Sequence, residues 1–170
     1  METERLILRE MCVDDAPFML ELLNDSEFIS NIGDRNVRTL DEAREHIAEK
    51  YVDHYERNGF GIYLVIRKRD GASIGMCGLV NRDTLDDVDI GYAMLPAYRR
   101  RGYSFEAAQA TLEHAFGSVG LARVVAVTWV GNEASAGLLE KLGMKYECTT
   151  RLAKNEDECR LFAAERGPHE

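Results

Sequence analysis

This sequence encodes a mixed α/β fold, with about seven strands and about four helices around a central βαβ unit. Three observations carry that reading. Residues 88–94, Val88-Asp89-Ile90-Gly91-Tyr92-Ala93-Met94, place their larger apolar side chains at alternate positions and stop at Pro96, as a strand with a buried face does. Residues 103–116 follow with a helical stripe of Phe105, Ala108, Leu112, Ala115 and Phe116. Val124-Val125-Ala126-Val127 is then a continuous apolar run, as in a strand covered on both faces. Strand, helix and strand at this spacing close a right-handed unit with its two strands parallel.

The other elements fall in order around it. Residues 5–10 alternate apolar and polar and read as a first strand. Asp14 caps a helix with Pro17 in its first turn, where a missing N–H is tolerated, and Ala16, Met19, Leu20 and Leu23 face inward. Residues 25–38 are expected to be irregular. Thr39-Leu40-Asp41-Glu42 is a capping box. The helix behind it aligns Leu40, Ala43, Ile47, Tyr51 and Tyr55 and ends at Asn58-Gly59. Residues 60–67 and 73–80 form a hairpin about Asp70-Gly71. Residues 132–142 form a helix capped by Asn132 and closed by Gly143. Residues 145–152 and 158–164 form a closing hairpin around Asn155-Glu156.

No repeat, linker or low-complexity segment divides the 170 residues, so residues 1–170 are expected to be one domain. The composition, 45% hydrophobic and 30% charged, is that of a soluble globule with its own core. No run approaches the ~18 apolar residues of a membrane span. The first five residues are acidic overall and lack a signal-peptide core. A cytoplasmic location and no membrane partner are therefore expected. Cys12, Cys77, Cys148 and Cys159 form no C-x-x-C pair, which fits free thiols in a reducing compartment. His46, His54, His114 and His169 complete no metal motif, so no catalytic metal is expected. The net charge of −9 argues against a nucleic-acid partner. It is compatible with a cationic amine, and solubility alone would also account for it.

The segment Leu95 to Ser104 joins a strand end to a helix start inside the βαβ unit. Unpaired N–H groups and the helix dipole make such a position a natural anion site. Gly102 lets the backbone approach a phosphate closely. Arg99, Arg100 and Arg101 add charge-assisted donors. A pyrophosphate is one partner for this loop; a solvated basic loop is the competing account. Neither G-x-G-x-x-G nor G-x-x-x-x-G-K-S/T occurs, so the usual dinucleotide and triphosphate sites are not indicated.

Arg99-Arg100-Arg101-Gly102-Tyr103-Ser104 resembles the Q/R-x-x-G-x-G/A loop of the GNAT superfamily of N-acyltransferases, whose loop amides hold the pyrophosphate of coenzyme A. Two flanking blocks resemble the RimJ/RimL-type branch: Ile90 to Pro96 with Gly102 to Ala107, and Asn132-Glu133-Ala134-Ser135 followed by Leu139 to Met144. The resemblance spans about residues 5–164. It departs at Arg100, where glycine is common, and at Ser104, where glycine or alanine is.

The resemblance implies a GNAT-like fold, acetyl-CoA as cofactor and transfer of the acetyl group to a primary amine by direct attack. The strand holding Met94 and Leu95 would part from its parallel neighbour. Its backbone would bind the pantetheine arm, one N–H acting as oxyanion donor. Arg99, Arg100, Arg101, Gly102, Tyr103 and Ser104 would hold the cofactor phosphates, and Asn132 would contact the arm beside its role as helix cap. Leu139 stands where many members carry a tyrosine acid, and Ser135 is the replacement that RimL-like enzymes offer. Its local alternative is a capping residue. Asp89, where the branch often has glutamate, would be the base that deprotonates the amine. Its local alternative is a solvated edge carboxylate.

The acceptor is expected to be a small amine or a protein N-terminus, selected by residues 25–38, the following helix and the closing hairpin. Acidic Asp25, Glu27 and Asp34 would suit a cationic acceptor. The protein is expected to be a monomer or homodimer. A non-catalytic acyl-CoA sensor is the alternative reading. A hydrolase on the same cofactor pocket is disfavoured because no G-x-S-x-G elbow is present.

Overall fold

The computed structural model describes residues 1–152 and 157–167. Seven strands form one sheet in the order β1-β2-β3-β4-β5-β7-β6. They are β1 (Leu6–Arg9), β2 (Ile62–Arg67), β3 (Ala72–Val80), β4 (Asp89–Met94), β5 (Arg123–Trp129), β6 (Lys145–Thr150) and β7 (Cys159–Glu165). Every neighbouring pair is antiparallel except β4 and β5, which run parallel. Helix α5 (Tyr103–Phe116) connects those two, so the expected βαβ unit sits at the centre of the sheet.

Both faces of the sheet are covered. One apolar cluster packs Tyr103, Ala107, Ala108, Leu112 and Ala115 of α5, with Ala136 and Leu139 of α6 (Glu133–Lys141), against Leu6, Leu79, Ile90, Val124 and Phe162. A second packs Met19, Leu22 and Leu23 of α1 (Ala16–Leu23) with Ala43 and Ile47 of α3 (Leu40–Ile47) against Leu64, Met76 and Leu95.

Five expectations are corrected. Asp14 lies within a 3-10 turn, Val13–Asp15, and the N-cap of α1 is Asp15. Residues 25–38 hold a helix, α2 (Ser26–Ile32). Asp25 caps it by accepting the Phe28 N–H at 3.0 Å, and Phe28 is buried beneath it. Helix α3 continues through a π-helical turn, Ala48–Val52, into α4 (Asp53–Asn58). A stripe spaced by four drifts about 40° per step on an α-helix. The wider π-turn winds fewer degrees per residue and keeps Tyr51 and Tyr55 over the core. Leu40, placed in that stripe, is 41% exposed because it opens the helix ahead of the core. On α5 the buried arc is Tyr103, Ala107, Ala108, Thr111, Leu112 and Ala115, with Phe105 and Phe116 at its margin and only partly covered. The turn expected at Asn155-Glu156 lies outside the described residues.

Candidate active site

Strand β4 keeps full register with β3, from Val80↔Asp89 to Gly75↔Met94. With β5 it pairs, among the described residues, only at Asp89↔Val125, where the Val125 N–H donates to Val88 O at 3.0 Å. Past that bridge the strands part. The opening is a groove of about 970 Å³ lined by β4, by Ala126 to Trp129 of β5, by Asn132, Ser135 and Leu139, and by residues of α2 and of the α3–α4 helix.

Backbone alternation decides which β4 groups face this opening. The Leu95 N–H donates to Ile74 O on β3 at 2.9 Å, so the Met94 N–H, one residue back, points the other way, into the gap. Leu95 is thereby removed as an oxyanion donor. The Met94 carbonyl accepts from Arg99 Nε at 3.0 Å.

The basic loop leads from this strand end to α5. Pro96–Tyr98 make a 3-10 turn, Arg99 is extended, and Arg100 and Gly102 have φ of +57° and +81°. Arg100 adopts the left-handed conformation that family glycines supply freely, at a cost of about 1 kcal/mol. The first helical bond of α5 is Glu106 N–H to Gly102 O at 3.1 Å, so the N–H groups of Tyr103, Ser104 and Phe105 lack helical acceptors.

The arginines divide. Arg99 turns inward, pairing with Asp25 and, at 3.1 Å, with Glu27, which ties the end of β4 to the start of α2. The reading of Arg99 as a phosphate ligand meets a side chain already engaged on the other side. Arg100 and Arg101 are exposed and form no ion pair among the described residues. The Tyr103 ring is buried, with the Arg5 guanidinium stacked 4.5 Å from its centre, so only its backbone is open to a ligand. Arg5, which the sequence marked only as a strand start, also donates to Arg101 O at 3.1 Å and to Glu106 Oε2 at 2.6 Å. Burial pushes the Glu106 carboxyl up, but bonds from Thr3 and Arg5 outweigh it and hold the group below its ordinary range.

Across the groove, Asn132 Oδ1 accepts the Ser135 N–H at 3.1 Å, the expected cap. Ser135 Oγ lies 2.9 Å from the hydroxyl of Tyr92 on β4. Burial pushes the Tyr92 phenol up to about 12, so it keeps its proton at neutral pH. Asp89 is 1% exposed, not a solvated edge carboxylate, and both its oxygens lie 3.0 Å from Arg82 Nε. Burial raises its pKa, Arg82 opposes, and burial prevails. His54 also lines the groove, but both ring nitrogens are engaged: Nδ1 with Phe60 O at 2.9 Å, and Nε2 with the Asn81 N–H at 3.1 Å.

The acidic residues expected to attract a cationic acceptor are already neutralised, Asp25 and Glu27 by Arg99 and Asp34 by Arg38.

A parallel pair opened beside a bare helix N-terminus, in this sheet order, makes an anion-binding groove in the middle of the sheet, and comparison with known proteins identifies it as that of an N-acetyltransferase. The chain belongs to the GNAT acetyltransferase family: the acetyltransferase (GNAT) domain matches residues 5–145. Members of that family use acetyl-CoA. YoaA, an uncharacterized N-acetyltransferase of Bacillus subtilis, is 30% identical over 155 residues, covering 89% of this chain and 85% of its own. The acetyltransferase (GNAT family) structure from Bacillus anthracis superposes with a TM-score of 0.82 at 24% identity, covering 99% of each chain. RimL, ribosomal L7/L12 alpha-N-protein acetyltransferase, solved in complex with coenzyme A, superposes with a TM-score of 0.83 at 19% identity, covering 96% of this chain and 95% of its own. Among the described residues no helix is long and apolar enough to cross a membrane.

Proposed function

We propose that this chain moves the acetyl group of acetyl-CoA to a primary amine by direct attack, with both substrates in the groove between β4 and β5. The observation that carries this reading is the single bridge at Asp89↔Val125, beyond which β4 turns backbone donors into an open gap. The residues at hand fit the cofactor. N–H groups of residues 103–105 and the uncommitted Arg100 and Arg101 suit a pyrophosphate. Gly102 suits the turn into that cradle, since its φ of +81° is one L side chains rarely adopt and a Cβ there would crowd Arg5 Nη2 at 3.2 Å. Asn132 and the backbone of Met94 flank the space for the arm. The cofactor, when bound, supplies an activated acetyl thioester.

The Met94 N–H is the donor to the developing oxyanion. Asp89, whose raised pKa makes it a stronger base than an exposed aspartate, takes the amine proton directly or through water. Ser135 Oγ, held by Tyr92, would pass a proton to the departing thiolate while taking one from groove water, so that the serine stays neutral and the proton released by the amine makes up the balance. Holding both reactants in one groove supplies much of the rate. The acceptor is a small amine or a protein N-terminus; the likeness in fold to RimL gives the second its support.

Titration calorimetry with acetyl-CoA and its dephospho analogue, followed by thiol release with a panel of amines, tests the reading. Micromolar binding weakened by loss of phosphate, with amine-dependent release, is expected. Folded protein that binds no acetyl-CoA would overturn it. Binding without release for any amine would leave a sensor in place of an enzyme.

A further inference from the structure

The acceptor end of the groove is formed by the end of α2, the loop behind it and the π-turn of the α3–α4 helix. Its charges are not those of the molecule. On a chain of net charge −9, the ionised groups lining the groove include Arg35, Lys50, Arg82 and Arg99 against Glu27, Asp89 and Asp157. Arg82 is matched to Asp89, and Arg99 to Glu27 and Asp25. Arg35 and Lys50 form no hydrogen bond or ion pair with any described residue. Asp157 belongs to the other wall, just before β7. The unmatched charge at the α2–α3 end is therefore positive.

Arg35 and Lys50 line the same groove as His46, and both charges are felt by its ring. That ring is half-buried and edge-on to Tyr51 at 5.7 Å. Burial, then Arg35, then Lys50, hold that imidazole below its ordinary pKa, while Glu49, which does not line the groove, pulls weakly the other way. His46 thus stays neutral at pH 7 and leaves the two cations unopposed. Arg35 follows α2 and Lys50 stands in the π-turn Ala48–Val52, so neither belongs to the loop that leads into α5.

We infer that the acceptor is an amine that also carries a carboxylate, which Arg35 and Lys50 hold while the amine reaches Met94 and Asp89. This rests on the transferase reading and specifies its substrate class. The carboxylate comes either from a free amino acid or from an acidic side chain near a peptide N-terminus; the chemistry is shared.

Matched pairs test it: tyrosine against tyramine, lysine against cadaverine, and a C-terminally amidated Ser-Asp-Glu peptide against an amidated Ser-Lys-Lys peptide, at saturating acetyl-CoA. The carboxylated member should lead by about tenfold in kcat/KM, as one charge-assisted contact allows. Preference within the amino-acid pairs or only within the peptide pair identifies the source. The double variant Arg35→Ala, Lys50→Ala alters exposed, unpartnered side chains. It should lose the discrimination, with KM for acetyl-CoA moving less than about twofold, and Lys50→Glu should tilt preference toward tyramine and cadaverine. Equal or faster turnover of the decarboxylated amines and the basic peptide by the unaltered protein overturns this inference and leaves the transferase standing. Discrimination unchanged in the double variant also overturns it. Acetyl-CoA binding with no amine acetylated overturns both readings.

Discussion

The hydroxyl of Tyr92 on β4 lies 2.9 Å from Ser135 Oγ on α6, bridging the two walls of the opened strand pair. Either hydroxyl can donate in this pair, and with the phenol as donor the serine's own proton turns toward the groove. Ser135→Ala should lower kcat by about 100-fold and Tyr92→Phe by about tenfold, within the usual span for a proton donor and its orienting partner. KM for acetyl-CoA should move less than about threefold in both. Steady-state kinetics decides; an unchanged kcat in Ser135→Ala removes the serine from the reaction.

Asp89 sets a pH dependence. Its folded pKa is raised, so ionising it in the fold is costlier than in the unfolded chain. The stability it contributes is full below the unfolded pKa and is lost as pH rises through the folded one. Arg82 limits that loss. Arg82→Met should cost about 2 kcal/mol at pH 8, less than the ~3–5 for a fully buried pair because Arg82 is 35% exposed. The cost should shrink as the pH falls toward the raised pKa of Asp89. Urea unfolding across a descending pH series from pH 8 measures this, and a cost that does not change with pH would remove the charge argument.

On the proposed mechanism the same group gives an acid limb. The kcat/KM profile should fall below a pKa above the ordinary carboxylate range, and Asp89→Asn should abolish the limb together with most of the rate. A limb retained by Asp89→Asn assigns the base elsewhere.

The phosphate cradle is tested at two distances. Gly102→Asp adds a Cβ at φ +81° and a carboxylate facing the anion, and should raise the acetyl-CoA dissociation constant more than about tenfold. Arg5→Ala touches no reacting group but frees Arg101 O, Glu106 and the Tyr103 ring. It should raise that constant about threefold with kcat unchanged, as the loss of one partly exposed ion network does. Calorimetry reads both.

Much of this was legible in the sequence because it is local. The alternation of Val88, Ile90, Tyr92 and Met94, the run Val124 to Val127, and Gly102 ahead of a 14-residue helix each declare themselves within a few neighbours. What escaped depends on contacts between distant segments. Tyr92 and Ser135 are 43 residues apart, and Arg99 and Asp25 are 74. That Leu95 spends its N–H on Ile74 follows from strand register, which alternating polarity does not reveal. Helix α2 was missed because one buried residue, Phe28, anchors it, and one turn of apolar pattern is too short to show a period. Its cap, Asp25 bonding Phe28, was the readable signal.

The parting of β4 from β5 has a consequence for the protein at rest. Most proteins confine unsatisfied strand edges to the rim of a sheet and guard them there. This one carries such an edge in the middle, between strands that are otherwise fully hydrogen-bonded on their outer sides. On the proposed function, an arm bound along Met94 would complete the sheet there, so the ligand would act in effect as a missing strand. At about 100 times its dissociation constant it should stabilise the fold by about 2.7 kcal/mol, which for a domain of this size is a rise of roughly 5–10 °C in Tm. Amide exchange should slow first at Ile90 to Met94 and at Ala126 to Trp129, the two lips of the opening.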